Sequence, residues 1–342
     1  MENNISSSCN SSRYKFSLSA MYGKGKEKKE WFGPLLALLT VIILLSVLRP
    51  STFLTWENLR AISDQASVPL ILAMGATFVI LMGCIDLSIE GVMATSALIF
   101  VTLSLNTVNT FDLGLAAPVL AVMSGAAFGL ATGLIHTMFR VPSFMVSLGV
   151  WFVGLGIATV IFGDRVPELT GQEMRVWFSS TPLGFSNAFI VALLFVGLSK
   201  FLSDHTTFGR YTYAIGASED ISRLNGVSVS RYKIYAFIFA GFCSAFAGVI
   251  GASRLGVGVV DIGSGQLFQT IAAVVIGGTF LSGGRGGILN TVFGVLLLVV
   301  INNGLVLMGV SPVYQRAVSG AVIVAAVVMT GLRYRSRLQI VK

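Results

Sequence analysis

A few polar side chains lie inside long apolar stretches, where they could contact a polar solute or bond neighbouring helices. Asp86 and Glu90 are four residues apart, so on one helix they would share a face. Asp86 and Ser88 can cap the helix that follows, or Asp86 can face a polar path. Asn302 and Asn303 lie in an apolar run, where an unpaired amide is costly. They would therefore bond another helix or contact a solute.

The longest polar interruption after residue 30 covers residues 203–232 and contains the pattern of a short helix. Ser218 can cap a helix that begins at Glu219, where Glu219 and Asp220 suit the positive helix end. Gly226 can end this helix. The pattern predicts a short amphipathic helix on one membrane face, and by itself it also fits an ordinary loop helix.

A glycine-rich stretch follows an apolar run near residue 276. Nucleotide binding is not indicated, because the pattern G-x-x-x-x-G-K-[ST] is absent. We expect the stretch to form a sharp turn with tight helix packing. Its members are Gly277, Gly278, Gly283, Gly284, Arg285 and Gly286. A second small-residue face, for helix packing, is predicted at Gly125, Gly129 and Gly133.

Nothing in the sequence indicates catalysis or metal binding by this chain. Paired acids, a histidine cluster and a nucleophile–base set are all missing from the sequence pattern. The three cysteines, Cys9, Cys84 and Cys243, are scattered and form no C-x-x-C pair. Neither a disulfide framework nor a metal site is therefore predicted.

The composition indicates that most of the surface faces lipid. Of 342 residues, 54% are hydrophobic and 11% are charged, whereas a soluble domain carries about 25% charged residues. The net charge of +8 arises from basic residues at the ends of apolar runs. We interpret these residues as topology signals rather than as a nucleic-acid surface.

The elements that position the polar groups are about ten membrane-spanning helices in one bundle, so the fold class is an all-α integral membrane protein. A span needs roughly 20 apolar residues, and the runs are too long and too uniformly apolar for barrel strands. The predicted spans are 31–48, 65–83, 89–105, 114–138, 143–162, 184–202, 233–253, 266–282, 287–308 and 313–332.

The distribution of Lys and Arg predicts that both termini are cytoplasmic. With ten alternating spans, 17 of the 23 basic residues lie inside and 6 lie outside. The predicted parts are a polar and basic tail at 1–30, expected to be disordered, a membrane domain at 31–332 and a basic tail at 333–342. A cleavable signal peptide is not expected, because the first apolar run is long enough to span.

Four segments resemble motifs of bacterial sugar ABC-transporter permeases of the ribose/xylose/galactose type. Gly209–Val227 resembles the cytoplasmic-loop pattern G-x-x-x-Y-A-I-G-G-N-x-x-A-A-R-L-S-G-I, and Gly83–Gly91 is similar to G-G-I-D-L-S-V-G. Ile271–Gly287 is nearly I-A-A-V-V-I-G-G-T-S-L-S-G-G-R-G, the strongest match. Val141–Gly149 resembles P-x-F-I-x-T-L-G. The resemblance covers roughly residues 55–330, with the motifs in the order of this permease superfamily.

Two departures from the family pattern concern the predicted solute path. Glu90 stands where the family usually has glycine. Residues 263–269 read G-S-G-Q-L-F-Q, whereas the family often shows G-S-G-Y-E-L-D, so both carboxylates are missing. Gln269 therefore joins the candidates for the path, together with Asp86, Glu90, Asn302 and Asn303. These differences leave open which sugar or sugar-like solute is carried.

The resemblance implies that the cytoplasmic loop couples the membrane helices to an ATPase. The coupling residues implied are Tyr213, Gly216, Ala217, Ser218, Glu219, Arg223, Leu224 and Gly226. ATP and Mg would bind to the ATPase subunits, and this chain would bind no cofactor. The other implied partners are an extracytoplasmic solute-binding protein, a second permease copy or paralogue, and lipid of the bacterial cytoplasmic (inner) membrane, but no nucleic acid.

The resulting hypothesis is the transmembrane permease subunit of an ATP-driven importer for a sugar or sugar-like solute. The alternative is an ion-coupled secondary transporter. Such transporters place ionisable residues near the membrane midplane, and here span centres contain few of them. The sequence therefore favours the permease subunit.

Overall fold

The computed structural model describes residues 31–171 and 173–311, together with 314, 315, 317, 318, 320, 321 and 324. Between the helices lie loops, turns and two isolated β-bridges. In the range 31–311 the helices are α1 (Phe32–Leu48), α2 (Pro50–Phe53), α3 (Trp56–Leu81), α4 (Ile89–Leu103), α5 (Ala116–Phe139), α6 (Ser143–Phe162), α7 (Glu173–Ser179), α8 (Asn187–His205), α9 (Thr207–Ala217), α10 (Glu219–Leu224), α11 (Val229–Leu255), α12 (Gln266–Ile276) and α13 (Ile288–Leu307).

Helices α3 and α11 form the centre of the bundle. Helix α11 packs against α3, α4 and α5. The predicted glycine face of α5 is confirmed, because a Cβ atom at Gly129 would lie 2.1 Å from the carbonyl oxygen of Phe237 on α11. Backbones this close need glycine at the contact. Many large apolar side chains of α5, α6 and α8 are exposed on the outside of the bundle, as lipid-facing helices require.

The apolar helices match the predicted spans in position but differ in length. Six of them, α3, α5, α6, α8, α11 and α13, are long and apolar enough to cross a membrane. Helices α1, α4 and α12 are apolar but shorter. The predicted tails at 1–30 and 333–342 lie outside the described residues. So does the predicted tenth span at 313–332, apart from isolated positions.

The predicted eighth span, 266–282, is wrong in its extent. Helix α12 ends at Ile276 after 11 residues, about half of what a membrane crossing needs. The next residue, Gly277, packs against the backbone of Asn290, and Gly278 has a φ of 98°. The backbone therefore turns back towards α13, although the apolar run continues.

The predicted second span, 65–83, begins too late. Helix α3 starts at Trp56, where the Thr55 side chain accepts a hydrogen bond from the N–H of Asn58. The first turns are polar, so hydropathy misses them. Two of these polar residues have partners on other helices: Asn58 bonds Asn303 on α13, and Asp64 pairs with Arg254 on α11.

The chain is not helical between α3 and α4, at residues 82–88. This segment lies against α6, where the hydroxyl oxygens of Ser143 and Ser147 accept hydrogen bonds from the N–H groups of Ile85 and Leu87, both at 3.0 Å. These hydroxyls replace helical acceptors for buried backbone donors. As a result α4 is a short helix of 15 residues.

Candidate functional site

The predicted helix after Ser218 is confirmed as α10. The Ser218 hydroxyl accepts a hydrogen bond from the N–H of Ile221, and the helix begins at Glu219 as expected. Beyond its end, Gly226 has a φ of 77°. The apolar side chains of Ile221 and Leu224 are 58% and 88% exposed, so α10 presents an apolar surface to its surroundings. We call this end of the bundle the α10 end.

Glu219 ties α10 to the core helix α11. One carboxylate oxygen accepts a hydrogen bond from Arg223 at 2.8 Å, and the other accepts one from Lys233 on α11 at 2.6 Å. Burial by itself would raise the pKa of the Glu219 carboxyl, but the hydrogen bonds and charges of Lys233 and Arg223 hold this pKa below its usual value. Glu219 is therefore ionised at neutral pH.

Helix α9 meets two other segments at Gly216. A Cβ atom there would lie 1.8 Å from the carbonyl oxygen of Leu81, the last residue of α3, and 2.4 Å from the nitrogen of Gly284. The Gly284 N–H itself donates to the Leu81 carbonyl at 2.8 Å. The Tyr213 hydroxyl donates to the Gly286 carbonyl at 3.3 Å. Three segments are thus in direct backbone contact.

The glycine-rich stretch after α12 forms a turn that places its backbone against α9. The Phe280 N–H donates to the carbonyl of Arg285 at 3.0 Å, which closes the turn. Gly284 has a φ of 74°, and a Cβ atom there would lie 2.7 Å from the nitrogen of Ala217. We call Gly277–Gly287 the glycine turn. It connects α12 directly to α9.

A cleft of about 390 Å³ lies between α3, α4, α11, α12 and α13. We call it the central cleft. Its size falls in the range of small-molecule sites. Two predicted path residues, Gln269 and Asn302, line it. The complete lining is Gln65, Val68, Pro69, Met93, Gly251, Arg254, Leu255, Ile262, Gln266, Gln269, Val299 and Asn302.

Glu90 lies beside the central cleft and caps α12. Its Oε1 atom accepts hydrogen bonds from the N–H groups of Gly265 and Leu267, at 3.0 and 3.2 Å. Gln266, which lies between these two residues, lines the cleft. The carboxylate therefore meets the positive end of a short helix.

The structure separates the remaining two path candidates from the central cleft. Asp86 is buried, and its Oδ1 accepts from the N–H and the hydroxyl of Ser88 at 2.9 and 2.6 Å. The predicted cap of α4 is wrong, because these bonds close within the loop and Ser88 makes no side-chain cap. The predicted shared face of Asp86 and Glu90 is also wrong, since Asp86 precedes the helix.

Asn303 is buried at 3% exposure and donates to Asn58 Oδ1 at 2.9 Å. Of the two alternatives for this asparagine, bonding to another helix is the one observed. Its neighbour Asn302 points instead to the cleft. A helix rotates about 100° per residue, so adjacent residues face different surroundings.

Comparison with known proteins identifies the family. The family model of the permease component of the branched-chain amino acid transport system matches residues 58–327. The chain belongs to this permease family. The ribose import permease protein of Escherichia coli K12 is 37% identical over 301 residues, which cover 86% of this chain and 92% of the relative.

Two further relatives of the permease are similar over comparable lengths. The ribose import permease protein of Bacillus subtilis 168 is 37% identical over 306 residues, covering 87% of this chain and 91% of the relative. The D-allose transport system permease protein of Escherichia coli K12 is 32% identical over 301 residues, covering 88% and 91%. No solved structure matches. The permease is thus a multi-pass protein of the bacterial cytoplasmic membrane.

The permease also has a second pocket, which sequence reasoning missed. It has a volume of about 350 Å³ and is lined by Arg60, Ala61, Asp64, Arg175, Ser179, Thr181, Ser186 and Arg254. A signal was available, because Arg60 and Asp64, which both line this pocket, are four residues apart and so share a helix face. Arg254, which pairs with Asp64, lines both cavities.

Within the described parts of the chain, no group of three or more His, Cys, Asp or Glu side chains could hold a metal ion.

Proposed function

We propose that the permease is the transmembrane subunit of an ATP-driven importer, and that it forms the path for a sugar or sugar-like solute. The relatives named for ribose and D-allose transport support this solute class. In this proposal an extracytoplasmic binding protein delivers the solute. Separate ATPase subunits bind ATP and Mg, and this chain binds no cofactor and performs no chemistry.

The observation that carries the proposal is the exposed apolar surface of α10. Ile221 and Leu224 are exposed on a helix that also has exposed charged side chains, including Arg223 at 58%. A helix inside lipid would not combine these groups, and exposed apolar side chains rimmed by polar ones mark a protein interface. We assign this surface to the ATPase subunit, with the coupling residues Tyr213, Gly216, Ala217, Ser218, Glu219, Arg223, Leu224 and Gly226.

The contacts at Gly216 offer a route from this interface to the solute path. A displacement of α9 and α10 acts on α3 through Leu81 and on the glycine turn through Gly284. The turn continues into α12, which carries Gln266 and Gln269 in the central cleft. ATP-driven closure of the ATPase pair would thereby favour one of two conformations of the path.

The complete path in this proposal includes a second permease copy or a paralogue, within the lipid of the bacterial cytoplasmic membrane. Gln269, Asn302 and Glu90 belong to the path, because they lie in or beside the central cleft. Asp86 and Asn303 hold the structure through Ser88 and Asn58.

The test is to disrupt the exposed surface of α10 without touching the bundle. In Leu224→Asp, co-purification of the ATPase subunit and ATP-dependent uptake by proteoliposomes should fall at least about tenfold, since a charge replaces a central interface side chain. Lys200→Gln is the matched control, because it removes an exposed ion pair on α8, which carries none of the coupling residues. Normal co-purification with Leu224→Asp, or solute accumulation without the ATPase, would contradict the proposal.

A further inference from the structure

Each charged group at the central cleft already has a partner of opposite sign. Arg254 lines the cleft and forms an ion pair with Asp64 on α3. The same guanidinium donates to the Asp64 carbonyl at 3.2 Å and to the Ser67 hydroxyl at 3.3 Å. Because the positive charge is compensated within the protein, Arg254 is not available as a strong site for an anion.

The positive end of α12 is compensated in the same way. An N-terminal helix end is equivalent to roughly half a positive charge. The Glu90 carboxylate accepts hydrogen bonds from the N–H groups of Gly265 and Leu267 at this end. A full negative charge therefore outweighs the helix end. The remaining polar side chains of the cleft are the uncharged amides Gln65, Gln266, Gln269 and Asn302.

One acceptor at the cleft lacks a donor. The Oε1 atom of Gln266 is buried and makes no hydrogen bond with any other described residue. A buried acceptor without a partner is costly. A hydroxyl group of a solute could donate to this oxygen, whereas an ionised carboxylate or phosphate brings acceptors alone.

We propose that Glu90 and Asp64 exclude anions from the central cleft and so make the path selective for uncharged solutes. The inference rests on the proposed function, since it specifies the solute class of the same path. Amide side chains both donate to and accept from hydroxyl groups, so four of them suit a polyol. Acidic or phosphorylated forms of the same solute are repelled, because the negative charge of Glu90 lies beside the cleft and like charges repel each other.

The charge preference can be measured on the purified permease without any ligand. A single cysteine is placed at Asn302 in a chain with Cys9, Cys84 and Cys243 replaced by alanine. The reaction rates of this thiol with a negatively and a positively charged methanethiosulfonate reagent give a ratio. Glu90→Gln keeps an oxygen for the two N–H groups but removes the charge. We expect it to raise the anion-to-cation ratio about tenfold.

The Arg254–Asp64 pair supplies a second arm that does not depend on Glu90. Asp64→Asn leaves Arg254 uncompensated and should raise the ratio, whereas Arg254→Gln should lower it. Asp112→Asn is the matched control, because the Asp112 carboxylate also accepts a backbone N–H, from Gly114, but lies in an exposed loop. Its ratio should equal that of the parent chain.

An unchanged ratio in Glu90→Gln and Asp64→Asn, or an equal shift in the control, overturns the inference. A cysteine at Asn302 that reacts with neither reagent also overturns it, since the cleft would then be closed to solutes. If Glu90→Gln does not fold, the opposite shifts of Asp64→Asn and Arg254→Gln decide the question. The proposed function fails separately, through absent ATP-dependent uptake by the parent transporter.

Discussion

Glu219 is the residue through which the exposed helix α10 is fixed to the core of the bundle. Its partner Lys233 lies on α11 and is 8% exposed, so its ammonium group needs a nearby counter-charge. Arg223, in contrast, binds the same carboxylate from an exposed position. The two ion pairs therefore differ in how much they stabilise the folded protein. The bond to Lys233 anchors α10, and the bond to Arg223 adds little.

Replacing Glu219 by Gln should lower the free energy of unfolding by about 1–2 kcal/mol at pH 7, because Lys233 loses its counter-charge. The partial exposure of Glu219 limits the effect. The folded-state pKa of Glu219 lies below its ordinary value of 4.5. The stabilisation is therefore complete above that pH and is lost as the pH falls through the folded-state pKa. Thermal unfolding of the detergent-solubilised permease, from pH 7 down to acid pH, measures the difference.

The control for this prediction is Arg223→Gln, which should cost less than about 0.5 kcal/mol at pH 7. Two results would contradict the argument. One is an equal loss in both variants, and the other is a gap between Glu219→Gln and the parent that persists at acid pH.

At the scale of single residues, the sequence predicts the hydrogen bonds of a side chain when the bonded residue is nearby in the chain. It fails when the bonded residue is distant in the chain. Ser218 was recognisable as a cap because its acceptor geometry involves the next three residues. Glu90 was not recognisable as the cap of α12, since its partners Gly265 and Leu267 lie about 175 residues away. Likewise, the residues next to Asn302 and Asn303 in the sequence do not indicate that Asn303 bonds Asn58 while Asn302 faces the cleft.

Among the elements, the junction of α9, α3 and the glycine turn is the one that transmits motion in the proposed mechanism. The contact has no space for a side chain at Gly216, where a Cβ atom would lie 1.8 Å from the Leu81 carbonyl oxygen. The opposing atoms belong to backbone, so they cannot move aside as a flexible side chain would. Any larger residue must separate α9 from α3.

Gly216→Ala should therefore reduce ATP-dependent uptake and ATPase co-purification at least about tenfold, with membrane insertion intact. Gly197→Ala is the control, because the position lies inside α8 and a Cβ atom there would enter open space, with nothing within 4 Å. There alanine should be neutral or stabilise the helix by up to about 1 kcal/mol. Uptake and co-purification assays on both variants decide the matter. Normal coupling in Gly216→Ala would rule out this junction as the route.

The elements also show what hydropathy can and cannot predict. It located all nine apolar helices between residues 31 and 308, because burial in lipid and burial in a helical core select the same residues. It failed at α12, since the end of that helix depends on Gly277 and Gly278 rather than on apolarity. It failed at the start of α3 because the polar residues there are paired across the bundle.

For the whole molecule, the distribution of charge predicts the direction in which the bundle crosses the membrane. Basic residues favour the cytoplasmic side, so the count of 17 inside against 6 outside predicts that both termini and α10 lie there. Termini on the same side require an even number of crossings. Six helices in residues 31–311 are long enough to cross a membrane and three apolar helices are shorter, so ten crossings, with the tenth at 313–332, stay a prediction.

The orientation can be tested with two exposed positions in a chain whose native cysteines are replaced. Leu224, on α10, is 88% exposed, and Leu183, in the loop before α8, is 76% exposed. A membrane-impermeant maleimide should label Leu183→Cys in intact cells and Leu224→Cys after permeabilisation alone. A reporter fused after Lys342 should lie on the side of Leu224. Labelling of Leu224→Cys in intact cells would show that the orientation is opposite to the predicted one. A C-terminal reporter on the same side as Leu183 would show that the number of crossings is odd. Either result would place α10 or the C-terminal tail outside the cytoplasm, where the proposed ATPase subunit would bind.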